Sequence, residues 1–181
     1  MLLRAVQNDP TISLLKDASA PFVLIGPSED ESIVTVDADN EAASRDVTLR
    51  MLRAGSLRPA LLLGDMEHTV NVSRKNGFLS ATGPVRLLAA PLILENLTSE
   101  ALIRQALEGA LSAGVDAVIC GDDFICAHVL NALQAKGASV PVASLYGSEL
   151  LSFLGSVTAP DTIDAFALGE RAAQRLIALV E

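Results

Sequence analysis

Seven short apolar runs recur along the chain, each followed by a turn and most by a stretch whose apolar residues return every third or fourth position. That rhythm is the mark of strand–helix units around a parallel sheet, and it restricts the chain to the α/β class. The expected strands are Leu2–Val6, Phe22–Ile25, Ser32–Val36, Ala60–Leu63, Val85–Ala89, Ala117–Cys120 and Val142–Leu145. Most are continuous apolar runs rather than alternating ones, as strands covered on both faces require. The expected architecture is therefore a doubly wound parallel sheet with helices on either side.

The intervening helices each carry one apolar face. Ala43, Val47, Met51 and Ala54 form one such stripe, and Leu102, Ala106, Leu107, Ala110 and Leu111 another. Asp39 and Thr98 suit N-caps, whereas Gly55, Gly114 and Gly137 stand where a left-handed residue ends a helix. A last helix, about 161–180, spaces Phe166, Leu168, Ala172, Leu176 and Ile177 for packing. Regular alternation is interrupted at Gly26–Glu31 and at Tyr146–Pro160, which read as crossings.

Lys and Arg number 13 against 22 Asp and Glu, a formal net charge of −9. Such a balance repels phosphate, so this stretch of chain is not expected to contact nucleic acid by itself. The longest apolar runs fall well short of the roughly 20 residues that cross a bilayer, and no basic-then-apolar leader opens the sequence. No membrane partner and a cytoplasmic location follow as expectations. Cys120 and Cys126 have no histidine or acidic cluster at metal-ligand spacing and read as two core thiols. No phosphate-cradling glycine loop, G-x-S-x-G elbow or H-E-x-x-H pair occurs, so neither a cofactor nor a catalytic constellation is indicated and an enzyme is not expected.

Val36-Asp-Ala-Asp-Asn-Glu-Ala-Ala43, Met51-Leu-Arg-Ala-Gly55, Ala60-Leu-Leu-Leu-Gly64 and Arg74-Lys-Asn-Gly-Phe78 follow one another in the order and spacing of V-x-x-D-N-x-x-G, L-x-x-G-H-x-x-I, L-x-G and R-x-x-G-F. Asp116–Asp122 resembles a strand ending in N-D, and Val140–Tyr146 a V-x-V-V-G-Y/F-D strand. In this the chain resembles the LacI/GalR family of transcription regulators along nearly its whole length.

The resemblance implies a periplasmic-binding-protein-like fold of type I, mostly its C-terminal lobe, with residues 29–157 in that lobe and residues 1–28 and 158–181 in the N-terminal one. It implies a small-molecule effector, a sugar or related metabolite, clamped between lobes, and a homodimer. Operator DNA would be a partner only through an N-terminal helix-turn-helix head that this chain lacks. A start at Met1 directly on a strand-like segment agrees with upstream sequence having been removed, and it predicts exposed strand edges and uncovered apolar faces.

Arg74 matches the family's effector-contacting arginine, and a guanidinium can hold a carboxylate, phosphate or sugar hydroxyl in a fixed fork. Asp122 and Asp123 follow a parallel strand at its carboxyl end, where doubly wound folds bind ligands. Helix capping is their plainer role. Tyr146, the single tyrosine, ends a strand and can stack on a ring or serve packing equally well. Val70 and Ile163 map near effector positions, and being apolar they weaken the case for a strongly polar site. His68 and His128 read as ordinary helix or loop residues, and Glu29–Glu31 as a solvated crossing loop.

The family pattern is broken at Ala43, at Ser56 where it has His, at Gly121 where it has Asn, and at Tyr146 where many sugar-binding members have Asp. Two other functions fit the same pattern of elements: a sugar-transport binding protein of this fold, which needs a secretion signal, and a flavodoxin-like enzyme or phospho-acceptor receiver built on Asp122 and Asp123.

Overall fold

The computed structural model describes residues 1–3, 6–28, 30–146, 148, 151, 157–158 and 165–180. Two parallel sheets organise them. The smaller has the order β1 (Leu2–Leu3), β2 (Leu24–Ile25), β3 (Thr35–Val36). The larger has the order β5 (Leu92–Leu94), β4 (Pro59–Leu62), β6 (Ala117–Cys120), β7 (Val142–Ser144).

Around the larger sheet run α2 (Asn40–Arg53), α3 (Thr69–Thr82), α4 (Glu100–Ser112) and α5 (Asp123–Lys136), while α1 (Pro10–Asp17) and α6 (Ala165–Val180) accompany the smaller. Among the described residues, no helix is long and apolar enough to cross a membrane.

The unbroken apolar strands are explained by what covers each face. Ala60, Leu62, Val118, Cys120 and Val142 point to one side, against Ile103, Leu107 and Ala110 of α4 and Ile125, Val129 and Leu133 of α5. Leu61, Leu63, Ile119, Ala143 and Leu145 point to the other, against Val47, Met51 and Phe78 of α2 and α3. Every residue of β4 and β6 is buried. The smaller sheet repeats the plan, with Leu2, Leu24 and Ile33 against Ile12 of α1, and Val23 and Val36 against Leu168, Ala172 and Leu176 of α6. The α/β class and the doubly wound layering thus stand as expected, and Cys120 and Cys126 are free, buried core thiols.

Four local expectations are corrected. The strand expected at Val85–Ala89 lies instead at Leu92–Leu94, because the partners of Ala60, Leu61 and Leu62 in the ladder are Leu92, Ile93 and Leu94. One apolar run covers both stretches, and periodicity alone does not choose within it. The cap of α4 is Ser99, whose hydroxyl accepts from Leu102 N, rather than Thr98. Phe166 was expected to pack but is 83% exposed, and Ile177 is also exposed, so α6 buries a narrower stripe. Helix α1 was not expected; its signal was Asp9 capping Thr11 N with Pro10 at the first helical position.

The glycine stops behave as expected, with φ of 105° at Gly55, 77° at Gly114 and 60° at Gly137, and Asp39 caps α2 by accepting from Ala42 N.

Candidate functional site

The site is built where the larger sheet hands over to its helices. The carboxyl ends of β4 and β6 open into Gly64–Asp65 and Gly121–Asp122, and β7 leads to Tyr146. Gly121 lies close against β4: its N–H donates to Leu62 O at 2.7 Å, and a Cβ there would meet Leu63 Cδ2 at 3.0 Å and Leu62 O at 3.2 Å. A side chain as large as the family's asparagine would have to displace Leu63, so Gly121 lets β6 close onto β4 and offers only backbone to the site.

Arg74 stands in the second turn of α3 and is only 7% exposed. Its Nη1 donates to Asn71 Oδ1 at 3.2 Å, and its Nε is buried with no hydrogen-bond partner. Burial lowers the guanidinium pKa from its ordinary value, and the charges of Asp122, Asp37, Tyr146 and Asp123, in decreasing order, push it back up. The charges that act on Arg74 thus include those of Asp122, Asp123 and Tyr146, three of the residues selected from the sequence, with Asp37 added. Arg74 is a buried cation with spare donor capacity, and an unsatisfied buried donor of this kind costs about 1–3 kcal/mol until something accepts from it.

The two oxygens of Asp122 lie in different surroundings. Its Oδ1 accepts from Ile125 N at 2.9 Å as the cap of α5, the plainer role named above, while Oδ2 reaches the Gly64 side of the cleft, 4.0 Å from where a Cβ on that glycine would stand. Asp123 is the first residue of α5, partly exposed. Tyr146 is half-buried, and its backbone is fixed by Ser144, whose hydroxyl donates to Tyr146 O at 2.8 Å. Val70 is half-buried in the first turn of α3. Ile163 lies outside the described residues.

His68 precedes α3 without capping it, and His128 stacks edge-on against Phe124 with ring centroids 4.6 Å apart. Of Glu29–Glu31, the exposed Asp30 pairs with Lys16; Glu29 lies outside the described residues.

Two residues escaped the sequence reading. Asp37 lies within the Val36–Asn40 motif and accepts from Asn40 Nδ2 at 3.1 Å. Asn71 sits three residues before Arg74, one helical turn away, which was the available signal. A separate cavity of about 600 Å³ opens between α1 and α3, lined among others by Ile12, Lys16, Val72, Ser73 and Asn76. Residues 72, 73 and 76 lie on the face of α3 turned away from 71 and 74, so this cavity does not contain the Arg74 cluster.

No family model matches the chain. Among curated proteins, the HTH-type transcriptional regulator CelR of Thermobifida fusca is 30% identical over 154 residues, which is 78% of this chain and 43% of that protein. The HTH-type transcriptional regulator MalR of Streptococcus pneumoniae is 27% identical over 154 residues, 80% of this chain and 45% of the relative. The chain thus spans less than half the length of these relatives.

A solved LacI-type regulator from Bacillus cereus subsp. cytotoxis NVH 391-98 superposes with a TM-score of 0.86 at 30% identity, over 97% of this chain and 66% of that one. A CelR–cellobiose complex gives a TM-score of 0.86 at 24% identity, over 97% and 57% respectively, and speaks for the fold. With motif order, doubly wound layering and these likenesses in agreement, the chain belongs to the LacI/GalR family and carries the periplasmic-binding-protein-like fold of its effector-binding domains.

Proposed function

We propose that this chain is the sensing module of a transcription regulator and that it binds a sugar or related metabolite at Arg74, between the two sheets. The observation that carries the reading is the buried Arg74 guanidinium, whose Nε has no hydrogen-bond partner and on which the charges of Asp122, Asp37 and Tyr146 act. A ligand hydroxyl oxygen can accept from Nε, while the carboxylates accept from neighbouring hydroxyls. Tyr146 offers a ring face where a carboxylate is common in sugar-binding relatives, which favours a ligand with an apolar face such as a pyranose.

In this proposal Arg74, Asp122 and Tyr146 are the principal contacts, with Asp123, Val70 and Ile163 at the margin. The proposed lobes are residues 1–28 with 158–181, and residues 29–157. Pairing of β3 with β2 favours moving the first crossing to just after Val36. The full-length protein would work in the cytoplasm as a homodimer, with ligand occupancy biasing two lobe arrangements and so the hold of a separate DNA-binding head on its operator.

Calorimetric titration with cellobiose and with maltose, the sugars suggested by the relatives' names, tests the site. Saturable binding of one of them, weakened at least tenfold by Arg74→Gln, is expected from loss of a charged hydrogen bond worth about 1.5–3 kcal/mol. Equal binding by wild type and Arg74→Gln would remove Arg74 from the site.

A further inference from the structure

Asn71 is 5% exposed and spends both ends of its side-chain amide. Its Oδ1 accepts from Arg74 Nη1 at 3.2 Å, and its Nδ2 donates to Asp65 O at 2.8 Å. A carboxamide of this length can accept at one end and donate at the other; aspartate only accepts, and an apolar side chain does neither.

The turn that Asn71 grips is pinned from other sides as well. Asp65 Oδ1 accepts from Glu67 N at 2.9 Å, and Met66 N donates to Asn96 Oδ1 at 3.1 Å. The outward carbonyls of the same turn meet the segment that follows β1 in the smaller sheet. Gln7 N donates to Glu67 O at 2.8 Å, Gln7 Nε2 donates to Met66 O at 3.2 Å, and Val6 forms an antiparallel bridge with His68. An unbroken series of hydrogen bonds and one short turn therefore runs from the Arg74 guanidinium to the strap between the two sheets.

We propose that Asn71 is a positioning residue that fixes the Arg74 guanidinium and the Asp65–His68 turn in one geometry, so that occupation of the Arg74 site is felt at the Val6–Gln7 strap. The proposal rests on the reading of Arg74 as a ligand contact. A ligand that accepts from Nε turns or draws the guanidinium. Nη1 moves with it because the group is planar and rigid, and the Asn71 amide passes that displacement to Asp65 O and the turn. Nothing else in the relay has to change its partner.

The test is nuclear magnetic resonance on the 15N-labelled chain, with two readouts taken before any ligand is added. One is hydrogen exchange at the Gln7 amide, and the other is the Arg74 Nε–Hε signal. Asn71→Ala is expected to speed Gln7 exchange at least tenfold and to erase the Arg74 signal, while Leu61 and Ile119 in the sheet keep wild-type protection. Asn71→Asp still accepts from Arg74 but no longer donates to Asp65 O, so it should keep the Arg74 signal and lose the Gln7 protection. That split is one a merely structural asparagine would not give, and it decides the matter even if the alanine variant fails to fold.

Wild-type Gln7 exchange in Asn71→Asp overturns the proposal. Addition of whichever of cellobiose and maltose the wild type binds should then slow Gln7 exchange at least threefold in wild type and not in Asn71→Asp; equal slowing in both also overturns it. Because the first readouts need no sugar, their failure is distinct from a failure of either sugar to bind, which would count against the function proposed for Arg74.

Discussion

The Ser44 hydroxyl donates to the backbone carbonyl of Arg74 at 2.6 Å, and both residues are buried. Helix α2 is thus fastened to α3 at Arg74 itself. Ser44→Ala removes the donor while leaving the carbonyl its helical partner, and an expected loss of about 1 kcal/mol follows from the usual net value of such a bond. Urea denaturation should show a lower midpoint with an unchanged slope; an unaltered midpoint would mean that the contact contributes nothing to holding the two helices together.

Those helices also come close together at Gly77. A Cβ at this position would strike Glu41 O, and would stand 2.8 Å from Ser44 Cβ and 3.0 Å from Arg45 N. Two of the three obstacles are backbone, which cannot turn aside. Gly77→Ala should therefore destabilise by about 3 kcal/mol, at the upper end of ordinary overpacking, despite alanine's better helix propensity. A thermal midpoint equal to or above that of wild type would contradict the packing described.

Asp116 gathers the entry to β4. It accepts from Ser56 Oγ at 2.6 Å, Leu57 N at 2.8 Å and Arg58 N at 3.0 Å. Burial pushes its pKa up, but these three donors outweigh burial and hold it below the ordinary 3.8. A carboxyl whose pKa is depressed on folding contributes stability that is present above its unfolded pKa and disappears as pH falls through the folded one. The stability gap between wild type and Asp116→Ala should be about 2 kcal/mol at neutral pH. It should then narrow as the pH is lowered below 3.8, and a gap that widens on acidification would reverse the sign argued here.

Lys16 and Asp30 join α1 to the segment between β2 and β3, Nζ to Oδ2 at 2.6 Å. The Lys16 hydrogen bond, followed by those from the Ser32 hydroxyl and backbone N–H, lowers the Asp30 pKa to about 2. Carboxyl chemical shifts followed against pH should place Asp30 there in wild type and move it toward 3.8 in Lys16→Met. Both side chains are nearly half exposed, so 1 M salt should shift it in the same direction. A titration indifferent to both changes would show that the pair does not persist in water.

What could be read in the sequence was whatever depends on one local stretch. The fully buried run Ala60–Leu63, the Asp39 cap and the glycines at 55, 114 and 137 carry their signals within a few residues, and the structure places them as expected. The misplaced strand near Leu92 and the exposure of Phe166 depend on which neighbour a strand or helix meets, and no window of sequence holds that information. The site divides the same way. Arg74, Asp122 and Tyr146 enter the proposed site from motifs and strand ends, whereas Asp37, which the structure adds to it, follows β3 of the smaller sheet and carries no such signal. Asn71 was missed because its importance lies in two bonds made at opposite ends of one amide.

Asp122 divides its two oxygens, one holding the first turn of α5 and the other lying on the Gly64 side, and its charge acts on Arg74. Asparagine caps a helix about as well as aspartate does, so the charge acting on Arg74 can be erased or restored by a single exchange at little cost to folding. In the proposed site, ligand preference is thereby open to drift and selection without first requiring a sturdier scaffold, and descendants of one ancestral chain could come to answer to different small molecules while keeping the same framework.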